Sequence, residues 1–181
     1  VMEYFTAFCV FIFLGVTMYM DIIGLILGKD FRGAIGTVPF MLISYMILGM
    51  LFNVSMWYKL SGETKYAINI TLTGLAVTVA VNIAFMPLFS YWASVAAHVL
   101  SGLAMLLLSV WLGNRHYYIP YNWGRICGYA VCGLVLFGVS LLLQSVLNLH
   151  DSMWTKLGVN TVLICVYMVY VAKRTGILKR L

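Results

Sequence analysis

Three histidines, four cysteines and five carboxylates are the side chains of this 181-residue sequence best suited to act as ligand, nucleophile, acid or base. They do not converge. His98 falls early in one long apolar run, while His116 and His150 lie in separate connections, so no histidine pair shares the face and depth from which a metal could be held. His150 stands beside Asp151 in a polar connection, where such a pair suits a solvated bend better than a catalytic dyad. Cys9, Cys127, Cys132 and Cys165 all sit inside apolar runs without the close paired spacing of a zinc site, and read as small core residues. No glycine-rich phosphate loop is present. An enzyme is therefore not expected, nor a cofactor or a metal.

What the sequence offers instead is polar groups set into apolar runs at helical spacing. Thr71, Gly74, Thr78 and Asn82 follow one another at offsets that place all four on one helix face. Tyr45, Gly49 and Asn53 step by four and form a slanted polar and small strip. Ala93, Ala97 and Ser101 do the same on another run, flanked by Ser94, His98 and Gly102, which lets a second helix backbone approach closely. Gln144 is the one strongly polar interior residue of its run, and Gly124 with Gly128 makes a GxxxG pair. Asp21 lies near the end of the first run. It either meets water and headgroups at an interface or turns into the protein, where desolvation would make it a proton carrier. Asp21, Tyr45, Asn53, Thr71, Thr78 and Asn82 are thus the candidate transport-path or coupling residues, and both helix packing and a hydrated path would call for such faces.

The elements that must position these residues are membrane spans. At 64% hydrophobic and 9% charged, with charge gathered in short clusters between long apolar runs, the chain reads as an all-α, polytopic membrane helix bundle. Six segments are long enough to cross the apolar slab: Tyr4 to Leu27, Ala34 to Tyr58, Tyr66 to Met86, Trp92 to Leu112, Ile126 to Leu147 and Met153 to Ala172. Their continuous rather than alternating apolarity favours helices over barrel strands. Tyr and Trp cluster near the proposed ends, as interfacial belts do. The third and fourth runs form a hairpin whose turn contains Pro87, and Pro39 is expected to bend the start of the second.

The net charge of +6 does not point to nucleic acid, because the basic residues sit between and after the spans rather than along one face. Eight of the eleven fall on the side of both termini, Lys59, Lys65, Arg115, Arg125, Lys173, Arg174, Lys179 and Arg180 among them. By the positive-inside rule that side is cytoplasmic, and so is the connection from Gly113 to Gly124. The basic tail from Lys173 to Leu181 is placed against anionic headgroups. The first run lacks the flanks of a cleaved signal and reads as a true span of a longer protein.

Two passages, FNVSMWYKLSGETKYAINITLTG from Phe52 to Gly74 and NIAFMPLFSYWASVAAH from Asn82 to His98, resemble the bacterial polysaccharide flippases that handle O-antigen or capsule repeat units. These belong to the superfamily of multidrug and oligosaccharidyl-lipid exporters. Asn82, Pro87, Phe89 and Ala97 match the family pattern, whereas Ser90 and Ala93 stand where glycines are usual. The resemblance implies a C-terminal transporter lobe over residues 1–124, with an extra helix pair and basic tail over 125–181. It further implies a missing N-terminal lobe of the same protein as partner, which would carry the basic substrate-binding residues. The implied activity is transfer of an undecaprenyl-diphosphate-linked oligosaccharide across the bacterial inner membrane by alternating access, driven by a proton or sodium gradient. An ion-coupled drug exporter of the same superfamily and a membrane enzyme of glycan assembly are the alternatives. The exporter would need carboxylates and rings in its cavity, and the enzyme a large polar outer loop.

Overall fold

The computed structural model describes residues 2–26, 33, 35–116, 123–146 and 153–175, and the regular structure among them is helical throughout. Eight helical segments follow in order: α1 (Met2–Met18), α2 (Met20–Ile26), α3 (Val38–Val54), α4 (Met56–Leu60), α5 (Lys65–Phe89), α6 (Tyr91–His116), α7 (Trp123–Val146) and α8 (Met153–Thr175). In hydrocarbon a backbone can satisfy its own donors and acceptors only within such a helix, which is why long apolar runs take this form. Among the described residues five helical stretches are long and apolar enough to span a bilayer: Ile35–Leu60, Lys65–Phe89, Tyr91–His116, Gly124–Leu143 and Thr155–Arg174. The chain is a polytopic membrane protein.

The first expected span differs. Instead of one helix from Tyr4 to Leu27, a shorter apolar helix ends at Met18 and α2 restarts at Met20. Tyr19 still donates its amide to the Gly15 carbonyl, but its own carbonyl receives the amides of both Ile22 and Ile23, so the helical ladder changes register there. Just before the break, Thr17 Oγ1 donates to the Phe13 carbonyl at 2.6 Å, a back-bond of the kind that bends helices. Pro39 also behaves otherwise than expected. It occupies the first turn of α3, where its missing N–H removes no helical bond. Pro87 lies inside the last turn of α5 rather than in the turn itself. The reversal into α6 falls on Ser90, whose φ of 50° is the one positive value outside glycine among the described residues.

By their contacts the helices fall into two units. In the first, α1 meets α7 through Glu3 with Arg125 and Phe13 with Phe137, pairs whose numbers rise together, so the two helices run parallel. Helix α8 runs against both, placing Tyr167 beside Ala7 and Asn160 beside Met18. Its core holds Val10, Phe13, Leu14, Tyr129 and Tyr167. In the second unit α3 and α6 are parallel, through Phe40 with Trp92 and Tyr45 with His98, and α5 and α6 form an antiparallel hairpin. Ala93, Ala97 and Ser101 of α6 are buried, and a Cβ on the adjacent Gly102 would meet Ile47 of α3 at 3.3 Å, so the small-residue side of α6 is packed closely. These directions are those of a chain that crosses the membrane alternately. Along α5, Ile68, Leu72, Leu75, Val79 and Ile83 stay exposed, a surface suited to hydrocarbon rather than water.

Candidate functional site

The α5–α6 hairpin carries the polar strip. Gly74 is buried against the side chain of Met105, which brings α6 close to α5 midway along the pair. One and two turns further on, Thr78 Oγ1 donates to the Gly74 carbonyl at 2.8 Å and Asn82 Nδ2 to the Thr78 carbonyl at 2.9 Å. The Asn82 Oδ1 then accepts from Ser94 Oγ of α6 at 3.0 Å. Asn82 thus uses its amide within its own helix and its carbonyl across to the next. Thr71, further down α5, is exposed, and its hydroxyl folds back onto the Ala67 carbonyl at 2.9 Å. Every one of these groups has a partner, so the strip is tolerated beside lipid while keeping acceptor oxygens that water or a polar solute could reach.

The structure brings Thr78 and Asn82 together on α5. Tyr45 lies in the same unit on α3, exposed, with its ring edge-on to His98 at 5.8 Å. Asn53, at the far end of α3, donates its side-chain amide to the Gly49 carbonyl at 3.1 Å. Asp21 is in α2 of the other unit, and its side chain lies outside the described residues, as does that of Gln144. His150, Asp151 and the tail beyond Thr175 also lie outside them. At the end of the hairpin remote from Ser90, Tyr66 Oη and His116 Nε2 are 2.7 Å apart while His116 Nδ1 faces the Leu112 carbonyl at 3.1 Å. A neutral ring that donates from Nδ1 and accepts the phenol at Nε2 satisfies both contacts. Among the described residues no three histidine, cysteine or carboxylate side chains gather as metal ligands would.

A second constellation, in the α1–α7–α8 unit, escaped the sequence reading. Asn160 Nδ2 donates to the Met18 carbonyl at 2.6 Å, where α1 breaks, and its Oδ1 accepts from Ser140 Oγ of α7 at 2.9 Å. Both side chains are almost fully buried. Tyr19 Oη and Thr161 Oγ1 meet at 2.6 Å beside them, and Tyr167 Oη donates to the Ala7 carbonyl at 3.1 Å deeper in the bundle. The signal available in the sequence was a lone amide, Asn160, inside an apolar run. Its partner is a backbone carbonyl, which no side-chain pattern announces.

Neither constellation contains a nucleophile with a base, or an acid matched to one. Both are arrays of neutral donors and acceptors between helices, able to order polar solute or to hold helices in register. No protein-family model matches the chain, and neither a curated protein nor a solved structure gives a significant match.

Proposed function

We propose that this chain is part of an alternating-access carrier that moves an undecaprenyl-diphosphate-linked oligosaccharide across a bacterial inner membrane. The observation that carries the reading is the strip of Thr78, Asn82 and Ser94 on a hairpin whose other surface is apolar. Sugars and a diphosphate cannot enter hydrocarbon unaided, since each unsatisfied polar group there costs several kcal/mol. Neutral hydroxyls and amides along a helix edge offer replacement hydrogen bonds without fixing a charge in the membrane. The turn supports the same reading. Ser90 adopts a positive φ at the position where the flippases that this chain resembles usually have glycine.

On this reading the α5–α6 strip faces the solute in part of the cycle, a proton or sodium gradient drives the exchange, and basic groups that meet the diphosphate are supplied by a further lobe. The test is complementation. The whole gene that encodes this chain, expressed in a strain lacking its own repeat-unit flippase, should restore surface glycan. Membrane insertion without restoration, across strains with different repeat units, would refute the reading.

A further inference from the structure

The geometry points to a binding site for the phosphate of an anionic phospholipid at the end of the α1–α7–α8 unit that bears Arg125, Lys173 and Arg174. This site does not depend on the transport reading. Two guanidinium groups lie at that end, and one of them is paired with a carboxylate. Arg125 Nη1 pairs with Glu3 Oε2 at 3.3 Å, both partly exposed. Among the described residues no carboxylate pairs with Arg174. Its guanidinium hydrogen-bonds Tyr170 Oη and lies over the rings of Tyr170 and Tyr129, 5.6 and 5.9 Å from their centroids. Gly128 gives it room, since a Cβ at that position would stand 2.8 Å from Nη1.

The second observation is the Tyr129 hydroxyl. Tyr129 has no exposed surface, and among the described residues its Oη has no hydrogen-bond partner. A buried donor left without an acceptor is destabilising, so a natural occupant of this corner is an acceptor. With Arg174 against the same ring and Arg125 one turn before Tyr129 on α7, an anionic acceptor is the one the surroundings favour. A phosphate diester that drew Arg174 aside from Tyr170 could take bonds from the guanidinium and the phenol together.

The third is the surface beside it. Between α1 and α8 runs a groove of about 390 Å³, lined by Tyr4, Phe8, Phe11, Met168 and Val171 and almost devoid of polar atoms. It starts at the same end, next to Glu3 on one wall and a turn before Arg174 on the other. An acyl chain fills such a groove, and the starts of α1 and α7 with the end of α8 put the cations at headgroup level. A free phosphate would leave the groove empty, so the occupant is taken to be a lipid.

The experiment uses the full chain purified in a neutral detergent, with thermal unfolding followed as phosphatidylglycerol, phosphatidylcholine or inorganic phosphate is added. Phosphatidylglycerol should raise the unfolding temperature and the other two should not. Arg174→Gln and Tyr129→Phe should each weaken the apparent lipid affinity about tenfold, the weight of one charge-assisted hydrogen bond, while Lys173→Gln on the same turn changes it little. Tyr129→Phe should be at least as stable as the parent before lipid is added, because the hydroxyl it removes has no partner. That readout stands even if Arg174→Gln fails to fold. Equal loss with Lys173→Gln would overturn the site in favour of diffuse surface charge. Protection by inorganic phosphate alone would overturn the lipid assignment, and full lipid response in Tyr129→Phe would overturn the role of the phenol.

Discussion

The side-chain amide of Asn160 reaches 142 residues back along the chain to the carbonyl of Met18, 2.6 Å away, at the point where the N-terminal apolar helix breaks. The bond does two jobs at once. It supplies a donor to a carbonyl near the interruption of the α1 ladder, and it fixes the height of α8 against α1. Ser140 completes the arrangement by donating to Asn160 Oδ1, so α7 is held to the same level.

Asn160→Ala should therefore be destabilising by about 1–3 kcal/mol, because the buried Met18 carbonyl loses that donor in a medium with no water to replace it. Ser140→Ala removes one interhelical bond and should cost about 0.6 kcal/mol, the usual scale of such bonds in membranes. Measured by reversible unfolding in mixed micelles, the double variant should fall short of the sum, since both act through one amide. Strict additivity would mean that the two side chains do not share a network.

Ser90→Gly should stabilise the protein by about 1 kcal/mol. Ser90 turns the chain between α5 and α6 at φ 50° and ψ −129°, a conformation that strains any residue with a Cβ and that glycine takes freely. Ser90→Val should move stability the other way by a similar amount. The same unfolding assay reads both, and a Ser90→Gly protein weaker than the parent would contradict the turn geometry.

Gly133→Ala is expected to destabilise by about 1–3 kcal/mol, although alanine is the better helix former. A Cβ on Gly133 would run into Val10, which is buried and β-branched and so has no flexible end to swing aside. Gly138→Ala on the same helix, with open space where its Cβ would go, is the control and should be neutral or slightly stabilising.

Much of this architecture was legible in the residues, and the reason is local. Continuous apolar runs of membrane length specify helices without help from distant parts of the chain, and the small side chains of Ala93, Ala97 and Ser101 announced the side of α6 that packs closely. The break at Tyr19 was hidden because no proline lies near it; Thr17 bonds back onto the helix from within and Asn160 holds it from α8. Pro87 misled for a related reason. A proline this near a helix end suits a reversal, since it removes a helical hydrogen bond, yet the helix runs on two residues to Phe89 and Ser90 carried the reversal. In the candidate site, Thr78 and Asn82 were placed on one face by spacing alone, but the Ser94 hydroxyl that joins them to α6 depends on the depth at which the hairpin closes. Arg174 was read as part of a headgroup-facing basic tail, and nothing in the sequence pairs it with Tyr129.

If the α5–α6 strip serves the passage of a lipid-linked glycan, as proposed, the leaflet position of that glycan is the decisive readout. In spheroplasts of a strain lacking its own flippase, expressing the whole gene that encodes this chain, the fraction of undecaprenyl-diphosphate-linked repeat unit open to an added glycan-modifying enzyme reports outward transfer. The account predicts that this fraction rises with the parent sequence and falls at least about tenfold in initial rate with Asn82→Leu or Thr78→Leu, while Val79→Leu on the exposed apolar side of α5 leaves it unchanged. A fraction that rises equally with all four, or that never rises although the protein is inserted, would contradict it.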